Sequence, residues 1–106
     1  MVTVTPLTIE NCSCVATTVT LPKTDLVIVS TNIGYIMCGA LDVGLLNARL
    51  KDRQIIAARA VGVKTVEQLL AAPLESVTEA AHAIGIKVGM TGKEAILLMC
   101  RHQTHP

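Results

Sequence analysis

The sequence has no tryptophan, no phenylalanine and a single tyrosine, Tyr35, so the stacking platforms that single-stranded nucleic acids or sugars use are missing. A charge excess is missing too. Nine Lys and Arg stand against eight Asp and Glu, a formal net charge of +1, which removes the basic field of non-specific nucleic-acid binding. No uninterrupted apolar run approaches the length of a membrane span. The opening Met1-Val2-Thr3-Val4-Thr5-Pro6 carries neither a basic segment nor a long apolar one, so the expectation is a cytoplasmic chain without a secretory leader. Four cysteines, Cys12, Cys14, Cys38 and Cys100, include no Cys-x-x-Cys pair. In a reducing compartment they are expected to be free thiols, and Cys12-x-Cys14 alone is too sparse to assign a metal site or a cofactor.

What the chain has is aliphatic bulk: 51% of its 106 residues are hydrophobic, with a mean hydropathy of +0.55. This length suits a single domain spanning residues 1–106, which would bury roughly two-thirds of its unfolded surface. The apolar content exceeds what one small core hides, so a homo-oligomer is expected.

From Val2 to Leu21 the composition is Thr and Val, and Val15, Thr17, Val19 and Leu21 alternate with Ala16, Thr18 and Thr20, as in a strand with two unlike faces. Two antiparallel strands are predicted, joined by a turn at Asn11-Cys12-Ser13. Pro6 implies a bulge or an edge position. After a break at Leu21 to Asp25, Leu26 to Val29 and Tyr35 to Cys38 read as a hairpin, with Asn32 or Gly34 expected in the left-handed conformation. Asp42 as N-cap and the spacing of Val43, Leu46 and Leu50 predict a helix from Asp42 to Arg53. Ile55 to Val61 then reads as a central strand buried on both faces. Capping boxes at Thr65/Gln68, Ser76/Glu79 and Thr91/Glu94 mark the starts of short helices, and Arg101 to Pro106 reads as a frayed tail. The fold class is therefore α+β: N-terminal antiparallel β-hairpins, one helix-to-strand return, then short C-terminal helices packed on a mixed sheet.

The segments Gly34-Tyr35-Ile36-Met37-Cys38-Gly39-Ala40-Leu41-Asp42, Leu46-Asn47, Arg59-Ala60-Val61-Gly62-Val63-Lys64-Thr65 and Ala72-Pro73-Leu74-Glu75-Ser76-Val77 resemble the YunC family of small bacterial and archaeal proteins of unknown function. The similarity runs from about Val2 to Met99. It implies an α+β fold whose N-terminal β region, about residues 1–21 here, mediates tetramer formation, and it implies no established reaction. Cys12, Cys14, Cys100, His82, His102 and His105 lie outside the pattern that carries the resemblance.

Candidate catalytic residues are Cys38, Asp42 and Arg59. Cys38 precedes Gly39 and the predicted helix, whose N-terminal N–H groups would stabilise a thiolate; the competing reading is a small buried core residue. Asp42 could serve as a base beside it or simply cap the helix. Arg59 inside an apolar run needs a carboxylate or an anion, so it either makes a structural ion pair, with Asp42 or across a subunit boundary, or binds a small anionic ligand. Gly85-Ile86-Lys87-Val88-Gly89-Met90-Thr91-Gly92-Lys93 resembles the Gly-containing turn of a helix-hairpin-helix DNA module, although the turn is longer and Lys87 and Lys93 are its only cations. The leading expectation is a binding or assembly module. A cysteine-dependent enzyme and helix-hairpin-helix nucleic-acid binding are the alternatives, with nucleic acid and membrane not expected as partners.

Overall fold

The computed structural model describes residues 1–39 and 54–104; the helix expected from Asp42 to Arg53 lies outside the described residues. The order is β1 (Val2–Ile9), β2 (Cys12–Leu21), β3 (Thr24–Ser30), β4 (Gly34–Met37), β5 (Ile56–Arg59), α1 (Val66–Ala71), β6 (Ser76–Val77), α2 (Glu79–Ala83) and α3 (Gly92–Thr104). The strands form one mixed sheet in the order β1-β2-β3-β4-β5-β6, antiparallel throughout except for the parallel β4–β5 pair. Strands with a few short helices make this an α+β fold, as expected.

Glu10 and Asn11 (φ 47° and 70°) close the β1–β2 turn, one residue earlier than predicted, which leaves Cys12 and Ser13 in the ladder. The register runs unbroken through Pro6↔Val15, so Pro6 marks an edge and not a bulge. Met1 and Thr20 exchange both backbone hydrogen bonds, at 2.8 and 3.2 Å. Bonded positions on β1 are therefore the odd-numbered ones, and the nitrogen of Pro6 faces outward, where no donor is needed. At the β2–β3 turn Pro22 is followed by Lys23 in the left-handed region (φ 63°).

Neither Asn32 nor Gly34 adopts a positive φ; the β3–β4 loop is held instead by Thr31, whose Oγ1 accepts the Ile33 and Gly34 N–H groups at 3.3 and 3.2 Å. Gly34 is required for a different reason: a Cβ there would overlap the carbonyl oxygen of Ile56, so β4 and β5 meet closely only at glycine. β5 has Ala57 and Ala58 buried on opposite faces, as its apolar run implied, but it is fifth of six strands, with only the two-residue β6 beyond it.

The helix starts hold in part. Thr65 caps α1 by accepting the Gln68 N–H at 3.1 Å, and Thr91 with Glu94 forms a reciprocal box, both bonds 3.2 Å. Ser76 is no cap: it lies in β6, and Thr78 caps α2 by accepting the Ala81 N–H. Thr78 wins because the same hydroxyl accepts the Ala57 N–H at 3.1 Å and donates to Ile55 O at 2.7 Å, tying helix to sheet. Residues 101–104, expected to fray, continue α3. The free-thiol expectation is also corrected, since Cys12 and Cys100 form a disulfide with Cα atoms 5.8 Å apart, while Cys14 and Cys38 are free and buried.

Sheet alternation sorts the core. One face presents Cys12, Cys14, Ala16, Val27, Val29, Ile36, Ala58 and Ala60 to Leu69 of α1 and Ala95, Ile96 and Met99 of α3. The opposite face carries Val2, Val4, Val15, Val19, Leu26 and Ile28, brought side by side by the register; Leu26 also packs against the core, and among the described residues a second small cluster forms on this side around Ala57, with Tyr35, Met37 and Ile55. No described helix is long and apolar enough to cross a membrane.

Candidate functional site

Cys38 follows β4, its N–H donating to Val27 O at 3.1 Å, and it is 5% exposed among core residues that include Ala58 and Ala60. Arg59 ends β5 in register with Met37 and Ser76, on the other side of the sheet. The two candidates are therefore separated by the backbone layer and do not line a common pocket. Asp42 lies outside the described residues.

The side chain of Arg59 is 28% exposed, and its Nη2 donates to Oε2 of Glu75 at 2.5 Å. Glu75 is thus a structural partner of Arg59, while the pairing expected with Asp42 falls outside the described residues. Glu75 precedes β6, and its N–H donates to Arg59 O at 2.7 Å, so backbone pairing delivers the carboxylate to the guanidinium. Oε1 of Glu75 also accepts the Ser76 hydroxyl. That hydrogen bond first, and the Arg59 guanidinium second, hold the Glu75 carboxyl below the usual carboxylate range. An anionic ligand at Arg59 would compete with Glu75 for the guanidinium.

The segment from Gly85 to Lys93 spends its donors internally. Gly89 N–H bonds Leu74 O, Met90 N–H bonds Lys87 O, Gly92 N–H bonds Ala72 O, and Thr91 N–H bonds the Glu94 carboxylate. Lys93 pairs with Glu10 at 3.3 Å. A phosphate would find these N–H groups already committed. His82 is exposed on α2.

A cavity of about 570 Å³ opens beside the β1–β2 turn, bounded by Thr8, Ser13 and Cys14 on the hairpin, Thr31 and Asn32 on the β3–β4 loop, and the Cys12–Cys100 bond. Burial pushes the Cys14 thiol up, so it stays protonated near neutral pH. The i, i+2 spacing of Cys12 and Cys14 on a strand already put them on one face; that Cys100 would join them was invisible, because 88 residues separate it from Cys12.

Residues 37–99 match the model of a domain family of unknown function, DUF1805. The chain is 60% identical over 101 residues to the uncharacterized protein YunC of Bacillus subtilis (strain 168), covering 95% of this chain and all of that protein. Its structure is similar to that of a protein of unknown function, TA1206, from Thermoplasma acidophilum, with a TM-score of 0.81 at 26% identity over 91% of this chain and 90% of the other. With the family model matching more than half of the chain and this identity extending over nearly all of it, the chain belongs to the YunC-like DUF1805 family, whose function is unknown.

Proposed function

We propose that the protein is a homo-oligomeric binding or assembly module whose copies associate through the apolar sheet face of the N-terminal hairpin. The observation that carries this reading is the face itself: Val2 and Val4, 62% and 61% exposed, stand in register with Val19 and Thr17, and Val15 and Leu21 extend the same side. Small residues of β2 face the core, so the larger aliphatic ones are left for a partner. At roughly 25 cal/mol per Å² of apolar surface, covering such a face in a second copy is a substantial driving force. Pro6 removes a backbone donor from the middle of the outer strand, which favours packing face to face over continuing the sheet edge to edge. A tetramer is the assembly that the family resemblance implies.

Light scattering behind size exclusion tests the reading. The intact chain should elute as a defined multiple of 11.2 kDa, and Val4→Glu with Val19→Glu should shift it toward the single chain while leaving its circular dichroism unchanged. A clean monomer of the unaltered protein at micromolar concentration would remove the proposal.

A further inference from the structure

Cys12 immediately follows the two-residue turn of the β1–β2 hairpin, and Cys100 lies near the end of α3. The turn meets the start of the same helix through the Glu10–Lys93 ion pair, largely exposed at both ends and therefore a weak tie. The disulfide is flanked by cavities on two sides. The larger holds Thr31 and Cys14, and the smaller, about 360 Å³, is lined by Glu10, Leu97 and Arg101; both reach Cys12 and Cys100. Cys100 is half-buried, whereas Cys12 is 4% exposed.

We propose that Cys12–Cys100 is a thiol-exchange site, entered through these cavities by a small thiol such as glutathione, whose reaction releases the end of α3 from the hairpin. The incoming thiolate attacks Sγ of Cys100; the Sγ–Sγ bond breaks and its electron pair leaves on Cys12, which takes up a proton. The product is a mixed disulfide at Cys100 and a thiol at Cys12. A second thiol then attacks the small molecule's sulfur, giving a small-molecule disulfide and Cys100 as a thiol. The direction follows from access: Cys100 is the half-buried residue and Cys12 the buried one, so the incoming thiolate reaches Cys100 first. Cys14, kept as a thiol by burial, does not compete as the attacking group.

The full-length protein, oxidised in air, is incubated in native buffer with stepped ratios of glutathione to glutathione disulfide, quenched in acid, alkylated and read by peptide mass. The expected result is a glutathione adduct on Cys100 and none on Cys12, with both becoming alkylatable while Cys14 and Cys38 stay protected. Backbone amides of Leu98 to Arg101 should lose hydrogen-exchange protection in the reduced form. Cys14→Ser should open at the same glutathione ratio. The proposal is overturned if Cys12 and Cys100 become reactive only together with Cys14 and Cys38, which would make the bond a purely structural tie. It is equally overturned if the adduct falls on Cys12, if Cys14→Ser blocks exchange, or if the oxidised protein still titrates with all of its thiols free.

Discussion

Cys38 and Arg59 stand on opposite faces of one sheet: Cys38 continues the row of Ile36 toward the helices, while Arg59 lies in register with Met37 on the other side. A nucleophile and an anion-binding guanidinium separated by a backbone layer act independently, and this arrangement governs how the thiol should respond to substitution.

Iodoacetamide labelling at neutral pH should be slow at Cys38, limited by opening of the fold rather than by thiolate formation. Arg59→Ala weakens β5 and therefore speeds labelling, but it should do so equally at Cys14 and Cys38, leaving their ratio unchanged. Peptide mass measurement gives that ratio, and a selective slowing of Cys38 would mean that the guanidinium does reach the thiol.

The Glu75 carboxyl is held low by Ser76 and then by Arg59, so its contribution to stability is present above the ordinary Glu value of about 4.3 and is lost as pH falls through the lower folded-state value. Side-chain carboxyl chemical shifts followed through an acid titration should show Glu75 protonating below the ordinary Glu value. In Ser76→Ala the midpoint should rise toward the ordinary value, and a midpoint indifferent to both Ser76 and Arg59 would contradict the geometry.

Thr78 is the one buried polar side chain among the described residues, and a single hydroxyl there serves Ala57, Ile55 and Ala81. Thr78→Val keeps the shape and strands those partners, at a cost of about 2–4 kcal/mol from the lost cap and the unsatisfied backbone groups. Thr78→Ser retains the oxygen and should cost less than half as much. Urea unfolding of the three proteins, with comparable m-values, measures the difference.

Two glycines should answer differently to alanine. Gly62 has φ +75° and nothing near its missing side chain, so Gly62→Ala meets only backbone strain, about 1 kcal/mol. Gly34→Ala drives a methyl group into the Ile56 carbonyl and must separate β4 from β5, the one parallel pair among the described strands. Its thermal midpoint should fall far more than that of Gly62→Ala, and similar midpoints would show that the β4–β5 approach can relax.

Period and punctuation were written locally. The alternation of Val15 to Leu21, the break at Pro22, the capping pairs at Thr65 and Thr91, and the return strand around Ala57 and Ala58 each depend on neighbours a few residues away, and each is visible as an element in the fold. The family segments likewise mark kinship without reference to contacts. Tertiary structure decided which side of each element faces what. Alternation shows that β2 has two unlike faces, but only the close approach of α3 selects the small-residue face, Cys12, Cys14 and Ala16, for the core and leaves the larger valines outside. Thr78 rather than Ser76 caps α2 because its hydroxyl also satisfies Ala57 and Ile55, more than 20 residues earlier in the chain. Glu75 reaches Arg59 through the pairing of β5 with β6, and Cys100 reaches Cys12 across 88 residues of sequence. A local pattern specifies the period of an element; the identity of a distant partner depends on how the elements stack, because burial rewards the whole arrangement and not any one segment.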